Sequence, residues 1–76
     1  SAAMAKLQKG DLDGATAALK KLTKDYPNFA DGHYALARAF ALGDEGGKAC
    51  KSFDRYLELA PNGKHAAEAK ANLNNC

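Results

Sequence analysis

The chain has 76 residues, 46% of them hydrophobic, and a net charge of +2, enough for one compact domain but, below ~80 residues, with little margin from a single core. Lysine and arginine are spread among aspartate and glutamate, so the basic stripe that nucleic-acid readers carry is missing and nucleic acid is disfavoured as a partner. No apolar run approaches the ~20 residues that span a bilayer, and SAAMAKLQKG lacks the apolar middle of a secretion signal, so the chain reads as soluble and without direct membrane insertion.

The first segment, AAMAKLQK, is alanine-rich and closes at Gly10, which reads as a short helix ending on a residue tolerant of the left-handed conformation. Asp11 or Asp13 then caps a second helix, in which Ala15, Ala18, Leu19 and Leu22 share one face. It ends before Pro27, because proline disfavours helical geometry in the residue before it. Asn28 caps the third helix, with Asp31 reaching back as in a capping box. Leu36, Ala37 and Phe40 form its core stripe, Asp31, Tyr34 and Arg38 a polar one, and Gly43 stops it. A fourth helix buries Ala49, Phe53, Tyr56 and Leu57 and solvates Lys51, Asp54, Arg55 and Glu58. Pro61 punctuates as Pro27 did, and HAAEAKANLNNC forms a last helix with Ala66, Ala69 and Leu73 as its apolar stripe.

The chain repeats itself. Ala15 returns thirty-four residues later as Ala49, Leu19 as Phe53, Leu22 as Tyr56, and the pair Pro27 and Asn28 as Pro61 and Asn62. Leu36, Ala37, Phe40, Ala49, Phe53, Tyr56 and Pro61 stand where the tetratricopeptide repeat family wants them, and the second copy resembles that family closely. The resemblance implies an all-α fold: a right-handed superhelical stack of antiparallel helix pairs, an α-solenoid of five helices in one domain over residues 1–76. Residues 1–29 would be a first, N-terminally shortened repeat, 30–63 the second repeat and 64–76 a capping helix. Ala37 and Ala49 would let paired helices approach, while Phe40 and Phe53 fill the space toward the neighbouring pair.

The first copy departs from the pattern in its short first helix and in Lys6, where the family prefers a large aromatic. The second copy has an extra residue between Gly43 and Ala49, which Gly46 and Gly47 are expected to absorb while the preceding helix ends a residue early. Such arrays need about three repeats to bury a continuous core. Two repeats and a cap therefore call for a supplement: a longer parent chain, self-association, or the cysteines. Ser1 rather than methionine opens the chain, which reads as a processed protein or a piece of a longer one.

Cys50 lies near the start of the fourth helix and Cys76 at the end of the fifth. Folding the hairpin about Pro61 to Lys64 sets Asn74 opposite Cys50, so Cys76 overshoots by about 3 Å, within the ~7 Å that a bridge tolerates between Cα atoms. A disulfide would tie the cap to the last repeat and imply an oxidising, periplasmic or otherwise extracytoplasmic compartment. The alternative is a small buried Cys50, a Cys76 that merely ends the chain, and a cytoplasmic protein.

Nothing in the sequence is arranged for catalysis. There is no nucleophile elbow, HExxH or phosphate-cradling loop, GDEGG is a helix connection, and there is no CxxC or His–Cys ligand spacing. A non-enzymatic protein without cofactor or metal is expected, with His33 and His65 on helix surfaces and Asp54, Glu58 and Glu68 solvated.

The resemblance implies a concave groove lined by the first helix of each pair. Its candidate partner-binding residues are Asp31, Tyr34, Arg38, Ala41 and Leu42, flanked by Met4 and Gln8 on one side and by His65, Glu68 and Asn72 on the other. Tyr34 beside Arg38 combines a rigid aromatic with a fork of donors. The family's lysine and asparagine clamp for a C-terminal carboxylate is not reproduced, since Tyr34 and Arg38 occupy the matching places. The implied function is a protein-interaction scaffold that takes a peptide segment or helix of a partner, in a bacterial-style assembly or envelope protein. The alternatives are a homo-oligomerising, self-assembling module and a redox or enzyme-accessory piece.

Overall fold

The computed structural model describes residues 12–76. Among them are four α-helices and no strand: α1 Leu12–Asp25, α2 Ala30–Leu42, α3 Gly46–Leu59 and α4 Ala66–Leu73. The expected helix before Gly10, and with it Met4, Gln8, Lys6 and the candidate cap Asp11, lies outside the described residues. Each helix packs on its chain neighbour, α1 on α2, α2 on α3 and α3 on α4, the order expected where short turns join successive helices.

The core is one cluster that α2 shares with both its neighbours. Leu19 of α1, Phe40 of α2 and Phe53 and Tyr56 of α3 are its large members, all at most 6% exposed. Burying one such side chain contributes about 1.5–3 kcal/mol of transfer free energy. Ala15, Ala37, Ala49 and Ala69 are buried between them, and their single methyl groups let backbones close in where a larger residue would hold them apart. The expected alternation of large and small is therefore present, with Phe40 and Phe53 both turned away from water. Lys20 and Lys48 place their ammonium groups over the Phe40 ring, 5.6 and 5.8 Å from its centroid, within cation–π range.

Two helix starts differ from the sequence reading. Asn28 does not cap α2; the capping position is Phe29, in extended geometry with no side-chain bond, and Asp31 makes no capping box. The backbone itself closes this turn. Phe29 N–H donates to Tyr26 O at 3.0 Å and Gly32 N–H to Phe29 O at 3.1 Å, which leaves a side-chain cap little to satisfy. Asp31 still sits in the first turn of α2, where the positive end of the helix dipole favours a carboxylate.

The second correction concerns Gly46 and Gly47, which do not form the hinge before α3 but are its first two residues. The reversal is made by Asp44, with φ of 60°, a left-handed conformation that aspartate adopts more readily than most residues. Gly43 stops α2 as expected, donating its N–H to Ala39 O and Phe40 O. Glu45 N–H then reaches back to Phe40 O at 2.8 Å, so three residues suffice to turn the chain.

Candidate partner-binding groove

Tyr34 organises the surface between α2 and α4. It projects from the middle of α2 and is only 7% exposed, because α4 begins directly over it. The His65 ring stacks on the Tyr34 ring with centroids 3.7 Å apart and planes 6° from parallel. His65 is fixed in turn by its backbone N–H, which donates to the Tyr56 hydroxyl at 3.0 Å. Tyr34 donates its own hydroxyl to Glu68 Oε1 at 2.8 Å. Arg38, one turn on, places its guanidinium 5.9 Å from the Tyr34 ring centroid, within cation–π range. Burial first, and then the hydrogen bond to Glu68 and its negative charge, raise the Tyr34 pKa above the ordinary tyrosine value, with Arg38 pulling the other way.

Beside this cluster runs a groove of about 410 Å³. It is lined by Leu19 and Leu22 of α1, by Phe29 before α2 and by Asp31, Gly32, Tyr34 and Ala35 of α2. Arg38, Lys64 and His65 complete the lining. Gly32 fits closely here: a Cβ there would lie 3.2 Å from Phe29 Cδ2 and 3.5 Å from Leu22 Cδ2. Phe29 is 48% exposed, so part of the apolar lining faces solvent. The volume lies in the ~300–1,000 Å³ range of ligand-sized clefts.

Of the candidate binding residues, the structure brings Asp31, Tyr34, Arg38 and His65 together at this groove. Asp31 and Arg38 are exposed there; Tyr34 is packed rather than free, and its hydroxyl is already taken. Glu68 is exposed but is the acceptor for Tyr34, and His65 is half-buried. His65, expected as a plain surface residue, is instead packed on Tyr34, whereas Glu68 is exposed as expected and in addition accepts from Tyr34. His33 is also engaged, donating Nε2–H to Pro27 O at 2.9 Å. Ala41 and Leu42 are exposed at the C-terminal end of α2, away from the groove. Asn72 turns its amide to Glu68 O at 2.8 Å and, with Ala41, lines a separate hollow of about 150 Å³ next to Cys50. Met4 and Gln8 lie outside the described residues.

Sequence reading missed Phe29 and Lys64 as groove residues and assigned Leu19 and Leu22 wholly to the core. The available signal was Phe29 itself, a large aromatic in a turn after Pro27 and Asn28 with no helical face to join. Arg38 and Lys64 have no carboxylate partner among the described residues, whose ion pairs are Lys21–Asp25, Lys48–Glu45 and Arg55–Glu58. Cys50 and Cys76 stand as a disulfide pair with Cα atoms 6.3 Å apart. No group of three or more His, Cys, Asp or Glu among the described residues is arranged to hold a metal ion, and no described helix is long and apolar enough to cross a membrane.

A family model of the tetratricopeptide repeat matches residues 2–28. The match covers the first copy, ending after α1 and the turn at Pro27, and supports the resemblance drawn from the thirty-four-residue period. None of the curated proteins compared matches the chain.

Proposed function

We propose that this tetratricopeptide-repeat chain is a protein-interaction module that receives a segment of a partner protein in the groove between α1, α2 and the start of α4. The observation that carries the reading is an open, apolar-lined cleft bordered by the exposed cations Arg38 and Lys64, an arrangement that suits an extended segment or one face of a helix. Asp31, Tyr34, Arg38 and His65, with Glu68 bonded to Tyr34, form the binding surface in this proposal, and Ala41, Leu42 and Asn72 lie apart from it. In this proposal the described helices belong to a right-handed superhelical stack in one domain, with a shortened first repeat over 1–29, a second over 30–63 and a cap over 64–76. A scaffold role in a larger assembly of the bacterial envelope is part of the same proposal, and the disulfide pair supports an oxidising compartment.

The test is to select binders from a random peptide library and map the tightest one by amide chemical-shift changes. Shifts centred on Leu22, Phe29, Gly32, Arg38 and Lys64 support the groove. Shifts confined to the opposite face, around Lys51 and Asp54, would overturn it.

A second reading, self-association, is favoured by Leu42, which ends α2 with 61% of its surface exposed. Light scattering over a range of concentrations decides it, and a strict monomer removes it.

A further inference from the structure

We propose that the Cys50–Cys76 bond is a thiol–disulfide exchange site whose substrate class is a dithiol, and that its oxidised state holds α4 in place as one wall of the groove. The regulatory half of this inference rests on the groove reading above; the structural half does not.

The argument starts from how little else holds α4. The helix has eight residues, shorter than the ~12–15 below which isolated helices are marginal in water. It buries only Ala66 and Ala69, with Leu73 partly covered, and it packs chiefly on α3. At its N-terminal end, the stack of His65 on Tyr34 and the bond from His65 N–H to Tyr56 are the anchors. At its C-terminal end the anchor is the covalent link from Cys76 to Cys50 of α3. The two ends serve different purposes: Lys64 and His65 border the groove, whereas the disulfide lies at the other end of the helix and neither cysteine lines the groove.

The bond is also reachable. Cys76 is exposed and Cys50 half-buried, and the hollow of about 150 Å³ lined by Ala41, Gly46, Cys50 and Asn75 opens beside it. Exchange depends on such access for the attacking thiolate. A dithiol reductant attacks one sulfur as its thiolate and forms a mixed disulfide; the other sulfur leaves as a thiolate and takes up a proton. The reductant's second thiol then displaces the remaining cysteine. The net change is one protein disulfide and one dithiol converted into two protein thiols and one oxidised dithiol, with two electrons passed to the protein.

Once Cys76 is free, α4 is held only by two buried methyl groups, part of a leucine and the contacts of its first turn. Fraying of α4 loosens Glu68 from Tyr34 and lets His65 and Lys64 drift from the groove. Dithiol reduction thereby lowers the affinity of whatever the groove holds, through a local opening of the kind that native proteins show in their least buried segments.

The experiment measures amide hydrogen exchange of the full chain, oxidised and after reduction by dithiothreitol, with thiol titration to verify two free thiols. The expected result is exchange across 66–73 that is faster by at least tenfold more than any acceleration shared by α1 and α2 through the overall loss of stability. Unchanged exchange in α4 after complete reduction overturns the proposal. Equal acceleration in every helix also overturns it, because the bond would then act on the whole fold. The regulatory half is read with a library-selected peptide: tenfold weaker binding by the reduced protein and by Cys76→Ala supports it, and equal binding sinks it. If the oxidised protein binds no peptide at all, the groove reading fails while the exchange result still decides the latch.

Discussion

Tyr34 donates its hydroxyl to Glu68 across a sequence separation of 34 residues, one full period of the repeat. By that sequence spacing the two residues correspond, as do Asp31 with His65 and Arg38 with Asn72. Tyr34 of α2 is therefore clasped by an acid of α4 and, through stacking, by the histidine that precedes that helix. The packing of α4 against α2 is thus made by polar side chains, Tyr34 with Glu68 and His65, beside the buried phenylalanines.

Removing the hydroxyl with Tyr34→Phe keeps the stack on His65 but releases Glu68. Stability should fall by about 1 kcal/mol, the usual net worth of such a bond. The pH response gives a second readout. Because burial and Glu68 raise the folded-state pKa, folding favours the protonated tyrosine. The stability from this group is fully present below the unfolded value of about 10 and is lost as pH rises through the raised value. Thermal melts near neutral pH and again under alkaline conditions should find wild type losing its advantage over Tyr34→Phe at the alkaline end. A constant difference across the range would disprove the linkage.

Opening the disulfide should cost more. In the loop-entropy picture a closure with a sequence separation of 26 is worth about 3 kcal/mol. For a domain of this size that corresponds to a fall in Tm of more than about 10 °C. Calorimetry of the chain with and without reductant, and of the Cys50→Ser, Cys76→Ser double variant, measures it; a shift of about 2 °C or less would show the bond to be energetically idle.

Gly63 stands where no side chain fits. A Cβ there would collide with the Tyr56 hydroxyl and come within 2.9 Å of Ala60 Cβ. Tyr56 is 1% exposed and carries the bond to His65 N–H, so it has no room to retreat. Gly63→Ala should destabilise by about 1–3 kcal/mol, the usual penalty of overpacking, and should disturb the His65 ring resonances by NMR. A variant as stable as wild type would mean the turn shifts freely.

Asp44 occupies left-handed backbone. Asp44→Val should lose about 1–2 kcal/mol through the steric conflict of a branched Cβ, while Asp44→Gly should be neutral or slightly stabilising. Urea unfolding of the pair separates this backbone effect from loss of the carboxylate, which both variants share.

The fold was largely legible. The period of Ala15 and Ala49, Leu19 and Phe53, and Leu22 and Tyr56 gave helix positions and core faces, because buried helical surfaces must recur at fixed steps. Turn details were less so. Asn28 and Gly46 have the composition of a cap and a hinge, yet a backbone bond from Phe29 and a left-handed Asp44 did the work, and such choices depend on how α1 and α3 approach α2. The groove was half legible for the same reason. Asp31, Tyr34 and Arg38 follow from helical spacing, but the burial of Tyr34 and the roles of Lys64 and His65 depend on where α4 crosses, which no spacing within α2 encodes. Cys50 and Cys76 were within reach of each other on hairpin geometry alone, and the structure brings them together.

The covalent ring from Cys50 to Cys76 encloses the exposed turn at Pro61 and Asn62. A protease that nicks this turn converts the ring into two peptides still joined through sulfur, so the cut molecule migrates as one species until it is reduced. The link that ties down the last helix also holds together the two pieces of a chain cut at this turn.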